Sequence, residues 1–308
     1  MRVVFMGTPE FAVPCLQKLI DCGHEVTGVF TQPDKPQGRK MILTPPPVKE
    51  LAVANGIKVY QPVKMKDGTA LEMLREADPE LCIVVAYGKI LPKEILEYPQ
   101  YGCIKIHASL LPKLRGAAPI QWSVINGFEK TGVTSMQMDE GLDTGDMLIK
   151  GKIEIGENET AGELHDRLSQ LGAEVLEKTI IALEKGELKP EKQNHEEFTY
   201  ASMLSKELSP IDWTMTAQQV HNKIRGLSPW PSANAKLNGK TVKIHRSVLS
   251  DSKGKFAGEV VEACKKLVVA CGDMNCIEIL NLQAEGKKAM SAADFLRGNP
   301  LNVGDKFE

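Results

Sequence analysis

The sequence predicts an α/β domain with a mostly parallel sheet, followed by a small β-barrel domain of the OB type. In the first half of the chain, short and continuously apolar runs alternate with helical patterns, which is typical of βαβ units. This alternation ends near residue 189. From residue 207 onward, short strand patterns follow one another between Gly and Asn turns. Such a series of short strands favours a small closed barrel.

The expected elements follow in chain order. The predicted strands of the first domain are 2–7, 25–32, 81–88, 103–107, 132–139 and 146–155. The predicted helices are 9–23, 68–80 and 160–186. The last begins with a capping-box pair, Thr160 and Glu163, and ends at Gly186. The proline-rich residues 44–49 are expected to form a stiff loop.

The second domain is expected to begin with a short helix at 216–227. Strands are predicted within 235–249, 257–272 and 276–283, and the residues LNGK at 237–240 form a strong hairpin signal. The predicted domain division is therefore 1–189, a linker at 190–206, and 207–308.

Length and charge limit the classes of partner. A chain of 308 residues suits two domains. The net charge of −2 gives no global field that would attract nucleic acid. Residues 207–308 nevertheless hold 14 Lys and Arg against 11 Asp and Glu. This local excess points weakly to a polyanionic partner, and ordinary solvated surface charge remains the alternative.

The cysteines and the apolar runs bear on the compartment. The seven cysteines are odd in number and scattered, which favours reduced thiols. The N-terminus runs directly into a predicted strand, and no apolar run approaches the roughly 20 residues of a membrane span. We therefore expect a cytoplasmic protein without a membrane partner. The cysteine pair in CGDMNC at 271–276 lacks the further ligands of a metal site, so no metal is expected.

The residues CIKIH at 103–107 carry the first candidate chemistry. Alternate side chains of a strand share a face, so Lys105 and His107 point the same way. In a parallel sheet, ligands bind at the carboxyl ends of the strands, where these two residues lie. Downstream, the Gly-rich turn MDEGLDTGDML presents Asp143. A carboxylate beside His107 would raise the pKa of the imidazole and make it a general acid or base. A structural histidine and an ordinary turn aspartate remain the alternatives.

The residues HASLLPKLRGAAPIQ at 107–121 and TGVTSMQMDEGLDTGDML at 131–148 together resemble the core signature of the folate-dependent formyltransferases. The resemblance implies a Rossmann-like domain that transfers a formyl group from 10-formyltetrahydrofolate to an amine, without a metal or redox cofactor. It also implies that His107 and Asp143 are catalytic. The residues at the positions of the family's folate-binding segments are Tyr87, Ile90, Leu91, Pro92, Ser109, Leu110, Leu111 and Pro112.

Three further stretches narrow the resemblance. Residues 7–16, 31–52 and 211–233 are similar to the formyltransferases that act on methionyl-tRNA. This implies that the partner is initiator methionyl-tRNA and that the C-terminal barrel binds tRNA. In that family residues 31–52 form an insertion loop that contacts the acceptor arm. The implied phosphate contacts are Lys35, Arg39, Lys40 and Lys49. We expect the chain to act as a monomer.

One position departs from the family pattern. Lys105 stands where the family has asparagine, in an Asn-x-His arrangement. An asparagine amide donates and accepts hydrogen bonds, whereas an ammonium only donates. Lys105 would pair with Asp143 and draw that carboxylate away from His107, or lower the pKa of His107 by like-charge repulsion. We therefore predict that Lys105 weakens or abolishes transfer while folate and tRNA binding persist. An ammonium that itself stabilises the oxyanion is the alternative.

Other functions remain open at this point. Relatives with the same His and Asp motif act on amino-sugar nucleotides or hydrolyse formyl-folate. In a non-enzymatic alternative, the chain is an inactive relative that only binds tRNA or folate. An unrelated nucleotide-binding protein is the remaining class. The first turn, FMGTPEF, lacks the G-x-G-x-x-G pattern, which argues against a dinucleotide site.

Overall fold

The computed structural model describes residues 1–38 and 41–308, and the chain divides into two units. Unit 1 comprises Met1–Gly116, Gly132–Ile153 and His165–Tyr200, and unit 2 comprises Ala117–Thr131, Glu154–Leu164 and Ala201–Glu308. This division differs from the one drawn along the sequence, because two internal segments, 117–131 and 154–164, group with the C-terminal residues. Tertiary contacts place them there, and no local pattern in either segment indicates it.

A seven-stranded sheet forms the core of unit 1. Its order is β10-β9-β7-β6-β1-β2-β5. The strands of the first 201 residues are β1 (Arg2–Gly7), β2 (Glu25–Phe30), β3 (Lys35–Gln37), β4 (Ile42–Thr44), β5 (Val59–Tyr60), β6 (Leu81–Val85), β7 (Cys103–His107), β8 (Arg115–Gly116), β9 (Lys130–Gln137), β10 (Met147–Glu154) and β11 (Tyr200–Ala201). The pairs from β5 to β7 are parallel, and β9 is antiparallel to β7. The predicted mostly parallel sheet is confirmed.

Burial explains why the central strands lack an alternating pattern. Residues 3–6 of β1 and 81–85 of β6 are all buried, because a parallel sheet in an α/β protein is covered on both faces. The parallel strands β1, β6 and β7 end at one edge of the sheet. The chain therefore leaves β6 at residue 86 and β7 at residue 108 on the same side, which is where ligands bind in open α/β sheets.

The helices include several that the sequence did not reveal. They are α1 (Val13–Asp21), α2 (Pro47–Ala54), α3 (Thr69–Ala77), α4 (Lys93–Leu96), α5 (Pro119–Ile125), α6 (Ala161–Glu184), α7 (Ala217–Gly226) and α8 (Ala292–Gly298). The stretch 44–49, expected to be a stiff loop, instead starts α2 at Pro47, where the missing N–H of proline costs the helix nothing.

The predicted capping box at the start of α6 is confirmed. The Glu163 N–H donates to Thr160 Oγ1 at 3.3 Å, and the Thr160 N–H donates to Glu163 Oε2 at 2.9 Å. Two N–H groups at the helix start are thus satisfied reciprocally. At the other end, Gly186 has a φ of +68°, which ends the helix as its sequence position predicts.

Unit 2 contains an antiparallel sheet in the order β12-β13-β16-β15-β14, with β17 paired to β16. Its strands are β12 (Ala233–Leu237), β13 (Lys240–Lys253), β14 (Val260–Ala263), β15 (Leu267–Ala270), β16 (Asn275–Ala284) and β17 (Met290–Ser291). The hairpin predicted from LNGK joins β12 to β13, and its two turn residues, Asn238 and Gly239, both have positive φ. This is the backbone that a two-residue hairpin turn requires.

The C-terminal residues join the two edges of this sheet. Phe307 forms an antiparallel bridge with Leu237 beside the hairpin, and Lys306 forms one with Glu259, just before β14. The path of strands is thereby closed into a ring. The predicted small barrel domain is therefore confirmed. Its closure leaves few strand edges exposed.

Candidate active site

The structure brings Lys105, His107 and Asp143 together. Lys105 and His107 lie on one face of β7, as alternation predicts, and Asp143 reaches them from the turn between β9 and β10. Asp143 has a φ of +56°, a left-handed backbone that aspartate adopts more readily than most residues. In the same turn, a side chain at position 145 would clash with the Gln137 carbonyl, so Gly145 is required by close approach.

Lys105 and Asp143 form an ion pair. Lys105 Nζ lies 2.5 Å from Asp143 Oδ1, and the two side chains are 22% and 2% exposed. The other carboxylate oxygen, Oδ2, accepts a hydrogen bond from the Gly116 N–H at 2.9 Å. Charge-assisted bonds of this kind are stronger than neutral ones. The carboxylate of Asp143 is therefore engaged by groups other than His107.

His107 lies farther from the Asp143 carboxylate than Lys105 does. Its Nδ1 lies 3.6 Å from Asp143 Oδ2, beyond hydrogen-bond range. Its Nε2 lies 2.9 Å from the carbonyl oxygen of Leu114. A carbonyl only accepts, so Nε2 must carry the hydrogen. The neutral ring then has no hydrogen on Nδ1, and only the imidazolium can donate from that edge.

Burial and Lys105 disfavour the imidazolium. Burial lowers the pKa of His107, the carboxylate of Asp143 raises it, and the charge of Lys105 lowers it again, so that the net pKa lies below the usual value of about 6.5. Asp143 raises the pKa of His107, as expected, but burial of the ring and the like charge of Lys105 outweigh the carboxylate. His107 is consequently neutral at pH 7.

Asp143 remains ionised. Burial by itself raises the pKa of this carboxyl group, but His107 when it is protonated, the charge of Lys105, and the hydrogen bonds from Lys105 and Gly116 outweigh burial and lower it. The site thus contains a carboxylate paired with an ammonium, and a neutral imidazole beside them. This arrangement holds a general base or a charge partner, but its imidazole lacks a free donor.

The loop after β7 is fixed by its own hydrogen bonds. Ser109 Oγ donates to the Lys113 carbonyl at 2.6 Å, and Thr134 Oγ1 donates to the Ser109 carbonyl at 2.7 Å. The Leu111 N–H donates back to Thr134 Oγ1 at 3.2 Å. Ser109 and Leu111 are buried, whereas Leu110 and Pro112 are partly exposed. Only the last two offer side-chain surface to a ligand.

The second predicted folate-binding stretch follows β6, the neighbour of β7. Tyr87 and Leu91 are buried in the core of unit 1, Pro92 is partly exposed, and Ile90 is 78% exposed. The Tyr87 carbonyl already accepts hydrogen bonds from Thr8 Oγ1 and Gln32 Nε2. A ligand at this edge would meet the backbone of this stretch and Ile90, rather than the side chains of Tyr87 and Leu91.

The predicted tRNA contacts differ in their surroundings. Lys35 is exposed on β3, which pairs with β4, and donates to Gln32 Oε1 at 2.9 Å. Lys49 Nζ lies 2.8 Å from both carboxylate oxygens of Asp34 and donates to Gln61, so its charge is already neutralised. Arg39 and Lys40 lie outside the described residues.

Two residues that sequence reasoning missed contact the site from within unit 1. Gln193 Nε2 donates to the carbonyl oxygens of Asp143 and Gly145, and Arg115 Nε donates to Gln193 Oε1. Gln193 lies in the stretch expected to be a linker. A single glutamine among polar residues gives no sequence signal of such a contact.

The described ranges, 1–38 and 41–308, contain no cluster of three or more His, Cys, Asp or Glu side chains that could hold a metal ion. Within the same ranges, no helix has the length and apolar character needed to cross a membrane.

Comparison with known families matches both parts of the chain. The sequence model of the formyl transferase family matches residues 1–180, and the model of the formyl transferase C-terminal domain matches residues 203–300. Together these matches extend over most of the chain.

Individual relatives agree with this result. A methionyl-tRNA formyltransferase of Alkaliphilus oremlandii is 50% identical over 306 residues, which is 99% of each chain. One of Clostridioides difficile is 49% identical over 305 residues, again 99% of each chain. Among solved structures, the sugar 3N-formyl transferase WlaRD, crystallised with dTDP and 5-N-formyl-THF, has a TM-score of 0.70 at 21% identity and covers 94% of this chain and 99% of its own. That likeness concerns the fold.

Proposed function

Because the chain belongs to the formyl transferase family, we propose that it transfers a formyl group from 10-formyltetrahydrofolate to the amino group of methionyl-initiator tRNA. The observation that carries this proposal is an identity of about 50% with methionyl-tRNA formyltransferases over 99% of both chains. The chain is thus an enzyme of a formyltransferase family, and the identity of its acceptor is the part we infer.

The reaction is an acyl transfer. The donor supplies the formyl carbon. The amino nitrogen of the acceptor bonds to that carbon, the bond from the carbon to the folate nitrogen breaks, and one proton moves from the amine to the folate nitrogen. Negative charge develops on the formyl oxygen on the way. A hydrogen-bond donor aimed at that oxygen therefore accelerates the step.

We assign this donor to His107, with Asp143 as its charge partner. The imidazolium carries a hydrogen on Nδ1, on the side where Asp143 lies 3.6 Å away. Asp143 favours the imidazolium and is placed to move the amine proton. Lys105 opposes both roles, because it holds the carboxylate at 2.5 Å and adds a like charge beside the ring. We infer that the chain binds its substrates and transfers slowly.

The donor is proposed to bind along the edge where β6 and β7 end. There Leu110, Pro112 and Ile90 offer apolar surface, and the backbone after residue 86 forms the second wall. An apolar edge next to fixed backbone suits a flat heterocycle. Tyr87, Leu91, Ser109 and Leu111 support these walls from the interior.

The acceptor's phosphates are proposed to meet Lys35, Arg39 and Lys40, which follow one another in the sequence with no acidic residue between them. Lys49 has a different role, because its ammonium holds Asp34 and Gln61 in place. All seven cysteines are free thiols. Free thiols fit the reducing cytoplasm, where we place the reaction.

An amino-sugar nucleotide is the second candidate acceptor. The likeness to WlaRD, a sugar formyl transferase, favours it, but the identity is 21%. The identity of about 50% with methionyl-tRNA formyltransferases favours tRNA. The non-enzymatic reading, a tRNA- or folate-binding relative, depends on the Lys105–Asp143 pair alone.

An acceptor competition tests the proposal. The chain and its Lys105→Asn variant are given formyl-labelled 10-formyltetrahydrofolate together with methionyl-initiator tRNA and a dTDP-linked amino sugar. We expect the label in the tRNA, faster with the variant, and none with a Lys105→Asn, His107→Gln double variant. Label in the sugar would refute the tRNA assignment. Binding of both substrates without transfer by either protein would favour the non-enzymatic reading.

A further inference from the structure

The stretch 191–200 is an integral part of unit 1. The backbone of Glu191 pairs with that of Met147 at the start of β10, with both hydrogen bonds at 2.8 Å. Farther along, Thr199 accepts from the Leu114 N–H through Oγ1 and from the Arg115 N–H through its carbonyl, each at 2.9 Å. The stretch therefore joins the turn that carries Asp143 to the loop that carries the Leu114 carbonyl, the partner of His107.

Gln193 makes the most specific of these contacts. Its two amide hydrogens reach two carbonyl oxygens, those of Asp143 and Gly145, both at 2.8 Å, and its Oε1 accepts from Arg115 Nε at 2.9 Å. The side chain is buried. Because a guanidinium only donates, the Oε1 atom must face Arg115 and the NH₂ group must face the turn. The orientation of the amide is thus determined.

Arg115 is itself held. Its Nη1 and Nη2 lie 3.3 and 3.4 Å from His195 Nδ1, and its guanidinium carbon lies 5.2 Å from the centre of the Phe198 ring. The side chain is buried. Arg115 therefore holds the Gln193 side chain in place. Because that side chain is held, its two hydrogen bonds restrict the movement of the Asp143 turn.

The Asp143 turn needs this constraint. A non-glycine residue at φ +56° is strained and persists only where its surroundings hold it. The Asp143 carboxylate lies between Lys105 and His107, and a rotation of its backbone would carry the carboxylate away from both. Misplacement of a reacting group by about 1 Å costs about 10²-fold in rate.

We propose that Gln193 is a positioning residue for formyl transfer, which sets the Asp143 carboxylate beside His107 through its hydrogen bonds to the carbonyl oxygens of Asp143 and Gly145. The inference rests on the proposed function, since transfer is its main readout. Arg115 acts one step farther away, by directing the Gln193 amide.

The variant Gln193→Glu tests this with nearly the same shape. It keeps an oxygen for Arg115 and replaces both amide hydrogens by an oxygen that faces two carbonyls. In the Lys105→Asn background, where the Asp143 carboxylate is free to act on His107, we expect a fall in kcat of about 10- to 100-fold, with KM for both substrates within about twofold. A buried carboxylate that faces two carbonyl oxygens also lowers the unfolding midpoint, so kcat is measured at a temperature where both proteins are folded. The matched control is Asn194→Asp, which adds the same charge one residue away on the exposed surface and is expected to leave kcat unchanged. Both are measured in the Lys105→Asn background and in the chain itself, where we expect little change because Lys105 already occupies the Asp143 carboxylate.

In the Lys105→Asn background, equal kcat for Gln193→Glu and its parent would overturn the proposal. A fall in kcat that disappears after correction for the fraction of folded protein would overturn it too, because a general structural role would suffice. Should Gln193→Glu fail to fold, Gln193→Met replaces it with the same expected results.

The proposed function can fail separately, as an absence of transfer in every background. The readout is then the NMR titration of His107 in Gln193→Met. Loss of the positioned carboxylate is expected to lower the pKa of His107 below its value in the parent protein. An unchanged pKa would overturn the proposal.

Discussion

Replacing Lys105 with asparagine is expected to raise the single-turnover rate of formyl transfer to methionyl-initiator tRNA by about 10²–10³-fold, the size of effect that one oxyanion donor has in other acyl-transfer sites. Two physical changes act together. The carboxylate of Asp143 is released from an ammonium 2.5 Å away, and the like charge that lowers the pKa of His107 disappears. The amide also restores a group that both donates and accepts.

Lys105→Met separates these changes. Methionine removes the charge without supplying an amide, so any gain it gives measures the release of Asp143 and His107 alone. We expect a smaller gain than with asparagine. Rates are measured by rapid quench with enzyme in excess. A Lys105→Asn variant no faster than the chain itself would refute the inhibitory role of Lys105.

The effect of Asp143→Asn is expected to depend on residue 105. In the Lys105→Asn background it should lower kcat by about 10²–10⁴-fold, because the variant loses the group that favours the imidazolium and moves the proton. In the chain itself the same change should alter the rate little, since Lys105 already occupies that carboxylate. The four proteins form a double-mutant cycle, and the coupling is its result.

Lys66→Asn provides the control for this cycle, because Lys66 is an exposed lysine elsewhere in unit 1. In the Lys66→Asn background, Asp143→Asn should change kcat as little as it does in the chain itself. If Asp143→Asn lowered kcat equally with lysine and with asparagine at position 105, the Lys105–Asp143 ion pair would not determine the contribution of Asp143 to the rate.

The sequence predicts the parts of the fold that local pattern determines. Continuous apolar runs identify β1 and β6, and the LNGK turn identifies the hairpin of unit 2. The capping pair identifies the start of α6. Short helices such as α4 and α8, of four and seven residues, are not predicted from the sequence, because so few turns cannot show a helical period. The grouping of 117–131 with the C-terminal residues depends on contacts distant in sequence.

The candidate site likewise has features that the sequence predicts and features that only the structure shows. Strand alternation places Lys105 and His107 on one face, and the geometry then brings Asp143 to them. The net pKa of His107 was not predictable, because it depends on how deeply the ring is buried. The role of the Leu114 carbonyl in fixing the tautomer, and that of Gln193 in holding the turn, depend on backbone positions that no residue pattern encodes.

The protonation of His107 tests most directly whether Lys105 slows transfer at this site. Proteins labelled with ¹³C and ¹⁵N in their histidine rings are titrated by NMR, and the His107 signal among the six is assigned with His107→Gln. The pKa of His107 lies below its usual value in the chain itself, partly because of Lys105. In Lys105→Asn it should be higher than in the chain, whereas Lys66→Asn should leave it unchanged. A pKa of His107 that stays the same or falls in Lys105→Asn would contradict the proposed role of Lys105.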